Sequence, residues 1–257
     1  ELWSRGRLSD AVIELWTGQI MAPKDCGPKA GSDVLLRKLR PIALEECLLK
    51  FAESTCIDEC TATIRHALEP WQVGSGTPDG TVVAIGVLQQ WAAAILDGPA
   101  VPTAANPDLI LSLDFENAYG KGLRSAFVCG MNKRVPQLAS LLATKWSRGV
   151  NAVWQRVRRP GSTALEWRRS ETSRGGGQGS RLMLDAFAVG LAHTLDRLWD
   201  PRDARLPVAP TELSLLPPIA VQPRIGYQDD NYILSSLSNF LAVRRRLRAV
   251  LADDGHS

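Results

Sequence analysis

Two adjacent aspartates set between two short strand-like runs constrain this chain more than any other feature. Pro223 to Tyr227 and Asn231 to Leu237 have strand character, and Gln228, Asp229 and Asp230 form their junction. Like charges this close repel, and a tight turn does not relieve the repulsion. A hard divalent cation does. The pair therefore asks for a fold that brings a further oxygen ligand to the tip of a strand-turn-strand. Turns favour Asp for backbone reasons alone, so the pair gains meaning only from what the rest of the chain supplies.

Asp108 to Phe115 (DLILSLDF) supplies it: an apolar run ending in an acid. It reads as a buried strand whose last side chains reach a sheet edge. Asp114, Asp229 and Asp230 together offer the carboxylate oxygens that magnesium prefers. Two such ions about 3.5–4 Å apart can clamp the attacking and leaving oxygens of a phosphoryl transfer.

The remaining segments alternate strands and helices. Asp10 to Trp16 is helix-like, Gln19 to Lys24 reads as a short strand, and Asp25 to Asp33 is turn-rich. Val34 to Leu44 reads as a second strand, completing a hairpin with Lys24, Arg37, Lys38 and Arg40 along or near it. Glu45 to Ala67 and Thr81 to Leu96 have helical patterning, separated by the loop Gly74 to Gly80. Gly122 to Cys129 and Gln137 to Trp146 are helical. Asn151 to Val157 and Thr163 to Arg169 predict a hairpin around Pro160-Gly161. The glycine loop Arg174 to Gly179 launches a long helix, Ser180 to Trp199, and Phe240 to Leu251 is a final basic helix.

Composition narrows the class. With 257 residues, 45% hydrophobic and 22% charged, the chain suits one large globular domain or two lobes. The longest apolar stretch, Val82 to Leu96, is broken by Gln89 and Gln90 and is too short and polar to span a bilayer. Net charge is only +3, but 23 arginines against 7 lysines gather in clusters around Arg156, Arg168 and Arg244. Such clusters suit phosphate, because the guanidinium fork matches its oxygens; they read equally as solvated faces. Five cysteines fit no disulfide framework and point to a reducing compartment, nucleus or cytoplasm. Cys56 and Cys60 share a helix with His66 and lack a fourth zinc ligand.

Five segments, taken in order, resemble reverse transcriptases of the non-LTR retrotransposon and group II intron type. Leu39-Arg40-Pro41-Ile42 resembles the LRPI signature of the fingers, and Trp71 to Trp91 resembles the Q-x-G-F-R-x-G-x-S-T segment. Leu113 to Tyr119 (LDFENAY) resembles the motif of the first catalytic Asp. Arg174 to Gly179 (RGGGQG) resembles R-G-x-x-Q-G, and Tyr227 to Asp230 (YQDD) resembles the Y-x-D-D box. Three departures stand out. Gly74 to Gly80 lacks the usual Phe-Arg, Ser180-Arg181 replaces the common Asp-Pro, and Gln228 stands where Ala or Met is usual.

The resemblance implies an α/β fold: a right-hand palm on an antiparallel βαββαβ sheet, helices on one face, helical and hairpin fingers, and no thumb. Residues 1–107 would be fingers, 108–131 palm, 132–173 fingers and 174–257 palm. It implies an RNA-directed DNA polymerase that uses two magnesium ions, or manganese, on a primed RNA or DNA template with dNTPs. Asp114, Asp229 and Asp230 would be the metal ligands, with the Phe115 carbonyl a further one. Lys24 and Arg40 would meet the triphosphate, although Lys24 reads equally as an ordinary exposed lysine. Tyr119 would pack under the incoming sugar or serve as a plain core aromatic. Gln178 and Gly179, ahead of a helix N-terminus, suit a nucleotide contact. The rival readings are an RNA polymerase with a similar palm, and a decayed copy that binds nucleic acid without catalysis.

Overall fold

A computed structural model describes residues 9, 11–13, 18–28, 37–98, 108–115, 118–158, 161, 163–197 and 223–253. The strands are β1 (Gln19–Pro28), β2 (Arg37–Leu44), β3 (Leu109–Leu113), β4 (Asn151–Arg158), β5 (Leu165–Thr172), β6 (Arg224–Tyr227) and β7 (Asp230–Ser235). The helices are α1 (Cys47–Leu68), α2 (Gly80–Leu96), α3 (Ala118–Lys121), α4 (Arg124–Arg134), α5 (Pro136–Lys145), α6 (Arg181–Arg197) and α7 (Leu237–Asp253). They serve two sheets: a three-stranded one in the order β3-β7-β6 and a four-stranded one in the order β2-β1-β4-β5.

Helix α6 organises the main core because it is apolar nearly all round. Leu182, Phe187 and Leu191 are fully buried, as are Phe127 and Met131 of α4 and Leu138, Leu141 and Leu142 of α5. Burying each such side chain stabilises by about 1.5–3 kcal/mol. Helices α4 and α6 meet backbone to backbone at glycines: a Cβ on Gly130 would lie 2.8 Å from the Gly190 Cα. Helix α1 begins where the Glu46 carboxylate caps the Leu49 N–H at 2.9 Å, and it buries Leu49, Ile57, Ile64 and Leu68 at helical spacing. Pro136 at the first turn of α5 lets a second helix start directly after α4.

The three-stranded sheet is antiparallel throughout, and its described elements run β-α-β-β-α. Its side chains alternate between two cores. Ile233, with Leu111 and Leu113 beside it, joins the main core, whereas Ile225 and Tyr232 face a smaller one built on Val73, Ala84 and Trp91. Helices therefore cover both faces rather than one, because the period of a strand sends Tyr232 and Ile233 to opposite sides. Strand β3 is half-buried, with Ser112 exposed, instead of fully buried. It lies at the sheet edge, and the central β7 takes the more covered position.

In the other sheet, β1 continues past Lys24 to Pro28, through a stretch whose composition predicts a turn. Pairing with β2, with a register shift between Asp25 and Pro28, outweighs local turn preference there. Strand β4 joins β1 in parallel from Gln19↔Val153 to Met21↔Gln155, which unites two hairpins distant in sequence.

A candidate functional site at the edge of the three-stranded sheet

The acids meet through register. Strand β3 pairs with β7 from Leu109↔Ser235 to Leu113↔Asn231, so the next position, Asp114, falls opposite Asp230. Strand β6 pairs with β7 up to Tyr227↔Asp230, which leaves Gln228 and Asp229 as a two-residue turn. Asp114 and Asp230 are exposed and Asp229 is half-buried. The Asp230 carboxyl is held above the usual carboxylate range, first by partial burial, then by the charges of Asp229 and Asp114. The three residues thus share one edge and sense one another's charge. Among the described residues, no three His, Cys, Asp or Glu stand as a ready metal-holding cluster. Glu116 lies outside the described residues.

The turn is held from outside by the start of the Trp71 to Trp91 segment, whose Gln72 the sequence reading gave no role at the site. The Gln72 side-chain amide donates to the Gln228 carbonyl at 3.0 Å and its oxygen accepts from the Gln228 N–H at 2.9 Å. That same oxygen accepts from the Gly74 N–H at 2.9 Å. The backbone on either side adds Val73 N–H to Gly226 O at 2.8 Å and Gly226 N–H to Trp71 O at 2.6 Å. Residues 71–73 therefore extend the sheet beyond β6. Gln228 has φ of 57°, a conformation costly for a non-glycine residue, and the two amide bonds from Gln72 offset part of that cost. Gly74 is required by contact: a Cβ there would lie 2.2 Å from the Gln228 nitrogen.

Three motifs line one cleft of about 140 Å³: Tyr119, the loop Gly177 to Ser180, and Gln228, with Met183 and Leu184 as its wall. Tyr119 rests against Phe187, ring centroids 4.9 Å apart. Burial, then Asp229 and Asp230, push its phenol further above the ordinary tyrosine range. Its hydroxyl is buried and has no hydrogen-bond partner among the described residues. The glycine loop is fixed by Gly176 N–H to Tyr119 O and Gly175 N–H to Gly122 O, both 2.8 Å, and by Ala43 N–H to Gln178 O at 2.7 Å. Gln178 and Gly179 are thereby set between Tyr119 and strand β2. Arg124 holds the same loop from behind, donating to the carbonyls of Gly175, Gly149 and Thr172 at 2.9 to 3.0 Å while lying 5.2 Å over Trp146. Burial lowers the Arg124 pKa to about 10, which still leaves it charged.

Lys24 and Arg40 pair across β1 and β2 by register; their side chains lie outside what is described. The Phe115 ring stands edge-on to Phe187, centroids 6.3 Å apart.

Sequence reasoning missed a buried ionic cluster beneath the loop. Lys145 Nζ donates to Glu45 at 2.7 Å, Glu53 at 2.6 Å and the Ser180 hydroxyl at 2.9 Å, and Gln19 donates to Glu45 at 2.8 Å. Burial alone would lower the Lys145 pKa, but Glu53 and Glu45 outweigh it and raise it. The signal was present. Glu53 occupies the apolar stripe Leu49–Glu53–Ile57, and Lys145 occupies Leu138–Leu141–Leu142–Lys145, so each charge falls where helical period demands burial. A second buried acid, Asp185 of α6, accepts from Ser75 and so ties the loop after Gly74 to the core helix.

The mixed α/β fold, with its two sheets, is similar to that of solved telomerase structures. Apo telomerase from Candida tropicalis superposes with a TM-score of 0.57 at 10% identity, over 96% of this chain and 44% of that one. The same telomerase truncated from its C-terminal domain gives 0.51 at 12%, over 94% and 48%. Telomerase from Candida albicans, in complex with a TWJ fragment of telomeric RNA, gives 0.50 at 12%, over 97% and 43%. The chain spans less than half the length of these solved proteins. No family model and no curated protein matches it.

Proposed function

We propose that this chain is the fingers-and-palm part of an RNA-directed DNA polymerase of a retroelement, acting with a primed template and dNTPs. The observation that carries the reading is the β3–β7 register that sets Asp114 opposite Asp230, with Asp229 in the adjoining turn. The donor chemistry fits magnesium or manganese: three carboxylates at one sheet edge, one of them kept above its usual range by the other two and by partial burial. Asp114, Asp229 and Asp230 would hold the ions, with the Phe115 carbonyl beside them. When bound, two such ions lower the pKa of a primer 3′-hydroxyl and stabilise charge on the departing pyrophosphate. Residues 1–107 and 132–173 are read as fingers, 108–131 and 174–257 as palm.

The protein's own groups position and exclude. Tyr119, its ring backed by Phe187, forms the floor of the cleft where the incoming sugar would lie, and its bulk would disfavour a 2′-hydroxyl. Gln178 and Gly179 line the same cleft, where backbone and amide groups can orient the nucleotide. Lys24 and Arg40, paired on the β1–β2 hairpin, supply the cations that a triphosphate needs.

A second reading, a nucleic-acid-binding scaffold without polymerisation, draws on one observation: the acids do not stand as a closed metal-holding cluster among the described residues. Primer extension separates the two. The protein with a primed RNA template, dNTPs and magnesium or manganese should extend the primer. Asp229→Asn should abolish extension, since an amide is a far poorer magnesium ligand, while affinity for the duplex stays within about twofold. Duplex binding without extension by the unaltered protein supports the scaffold. Extension that survives Asp229→Asn places the chemistry elsewhere.

A further inference from the structure

Strands β4 and β5 carry an exposed face built of tryptophans and arginines. Their register pairs Trp154 with Arg169, Arg156 with Trp167 and Arg158 with Leu165. Residues directly opposite in an antiparallel pair share a face, and so do residues two apart along a strand. All six side chains therefore stand on one side of the hairpin, with each tryptophan opposite an arginine of the other strand. Trp154 is 40% exposed and Trp167 is 53% exposed. The face continues across the sheet, because Ile20 pairs with Trp154 in parallel and Leu44 pairs with Ile20, and both are also exposed.

An apolar face left open at this scale asks for an occupant. Charge selects it. Arg156, Arg158 and Arg169 stand there against one acid on the same side, Glu171, which lies 2.8 Å from Arg169. Arg156 and Arg158 make no ion pair among the described residues. A neighbouring helix or sheet of this protein would bury those two guanidinium groups without partners, at considerable cost. A strand of nucleic acid would not. Unpaired bases stack on indole rings, and phosphates between the bases meet the guanidinium forks. Duplex is a poorer match, since its bases are already stacked and offer no free ring faces.

We infer that the Trp154/Trp167 face of the β4–β5 hairpin is a platform for single-stranded nucleic acid, with arginines gripping the backbone between stacked bases. The face is formed by strand positions 154 to 169 and uses none of the acids at the sheet edge, so it stands independently of the polymerase reading.

Fluorescence anisotropy with labelled oligouridine and oligothymidine of about 12 nucleotides tests this, with a duplex of the same length as the comparison. Both single strands should bind more tightly than the duplex. Trp154→Leu and Trp167→Leu, which keep apolar bulk but remove the stacking ring, should each weaken single-strand binding about tenfold. Trp154→Phe and Trp167→Phe should lose less, because a ring remains. Arg156→Ala with Arg158→Ala should lower the slope of log affinity against log salt by about 1.4. Duplex affinity that falls with the tryptophan changes as far as single-strand affinity does, or full single-strand affinity in a variant carrying both Trp154→Leu and Trp167→Leu, would overturn the inference. So would a sedimentation result in which the tryptophan changes dissolve a dimer while oligonucleotide affinity stays constant, since the face would then join two copies of the chain.

Discussion

The two sheets of this protein handle their surfaces in opposite ways. The three-stranded sheet packs against a hydrophobic core on each face, and Asp114, Asp229 and Asp230 share its charged edge. The outer half of the four-stranded sheet is open, and it presents Trp154, Trp167 and arginines to solvent. The first sheet needs rigidity, since carboxylates that repel must be held at fixed positions by something else. That something is the Gln72 amide, the extra pairing of residues 71–73 and the packed helix α6. The second needs access. Aromatic side chains of similar size thus serve stability in one region and surface chemistry in the other.

The sharpest way to break the comparison is at the buried cluster of Lys145, Glu45 and Glu53. Lys145→Ala leaves Glu45 and Glu53 buried without a counter-charge, and should destabilise by about 3–5 kcal/mol in urea unfolding. A loss below about 1 kcal/mol would mean that the cluster is wet and carries little. Phe187→Ala, which empties a fully buried position touching Phe115, Tyr119 and Phe127, should cost about 3–5 kcal/mol by the same measurement.

A middle-sized effect is expected at the brace. Gln72→Ala removes both bonds to Gln228 and leaves a strained turn without its anchor, at about 1–3 kcal/mol. If the polymerase reading holds, primer extension should fall by more than stability does, with duplex affinity nearly constant, because the acids lose their positions rather than their charge. Gln72→Glu is a useful companion: it keeps the acceptor for the Gln228 and Gly74 N–H groups but loses the donor to the Gln228 carbonyl. Because position 72 is buried and the lost donor becomes a carboxylate oxygen facing that carbonyl, it should cost at least as much as alanine in urea unfolding.

The smallest stability change should come from the largest side chain. Trp167→Ala on the open sheet should shift unfolding by no more than about 0.5 kcal/mol, against the several expected for Phe187. A cost near that of Phe187 would show that the hairpin face is covered in solution.

Much of this contrast is legible in the residues themselves. The apolar run Asp108 to Phe115, the strand-turn-strand around Asp229 and the glycine loop ahead of a long helix all carry local signals, because period and turn chemistry act over a few residues. The same holds for the β4–β5 hairpin. Strand β4 starts where expected and ends one residue later, whereas β5 starts two residues later and ends three later, where pairing with β4 carries it on. The turn expected after Lys24 fails for the same reason: a partner strand overrides local preference.

By itself, then, the sequence determined the elements, their order, and which acids had to be reconciled with one another. Tertiary structure alone decided what does the reconciling. Nothing local in Gln72 announces that its amide spans a turn 156 positions away, because a hydrogen bond depends on where two backbones meet and not on spacing along one. Glu53 and Lys145 were different, since their places in apolar stripes foretold burial, yet only packing could name them as partners across 92 residues. The parallel joining of β1 to β4 is likewise non-local, and it is that joining which turns two separate hairpins into one continuous open face.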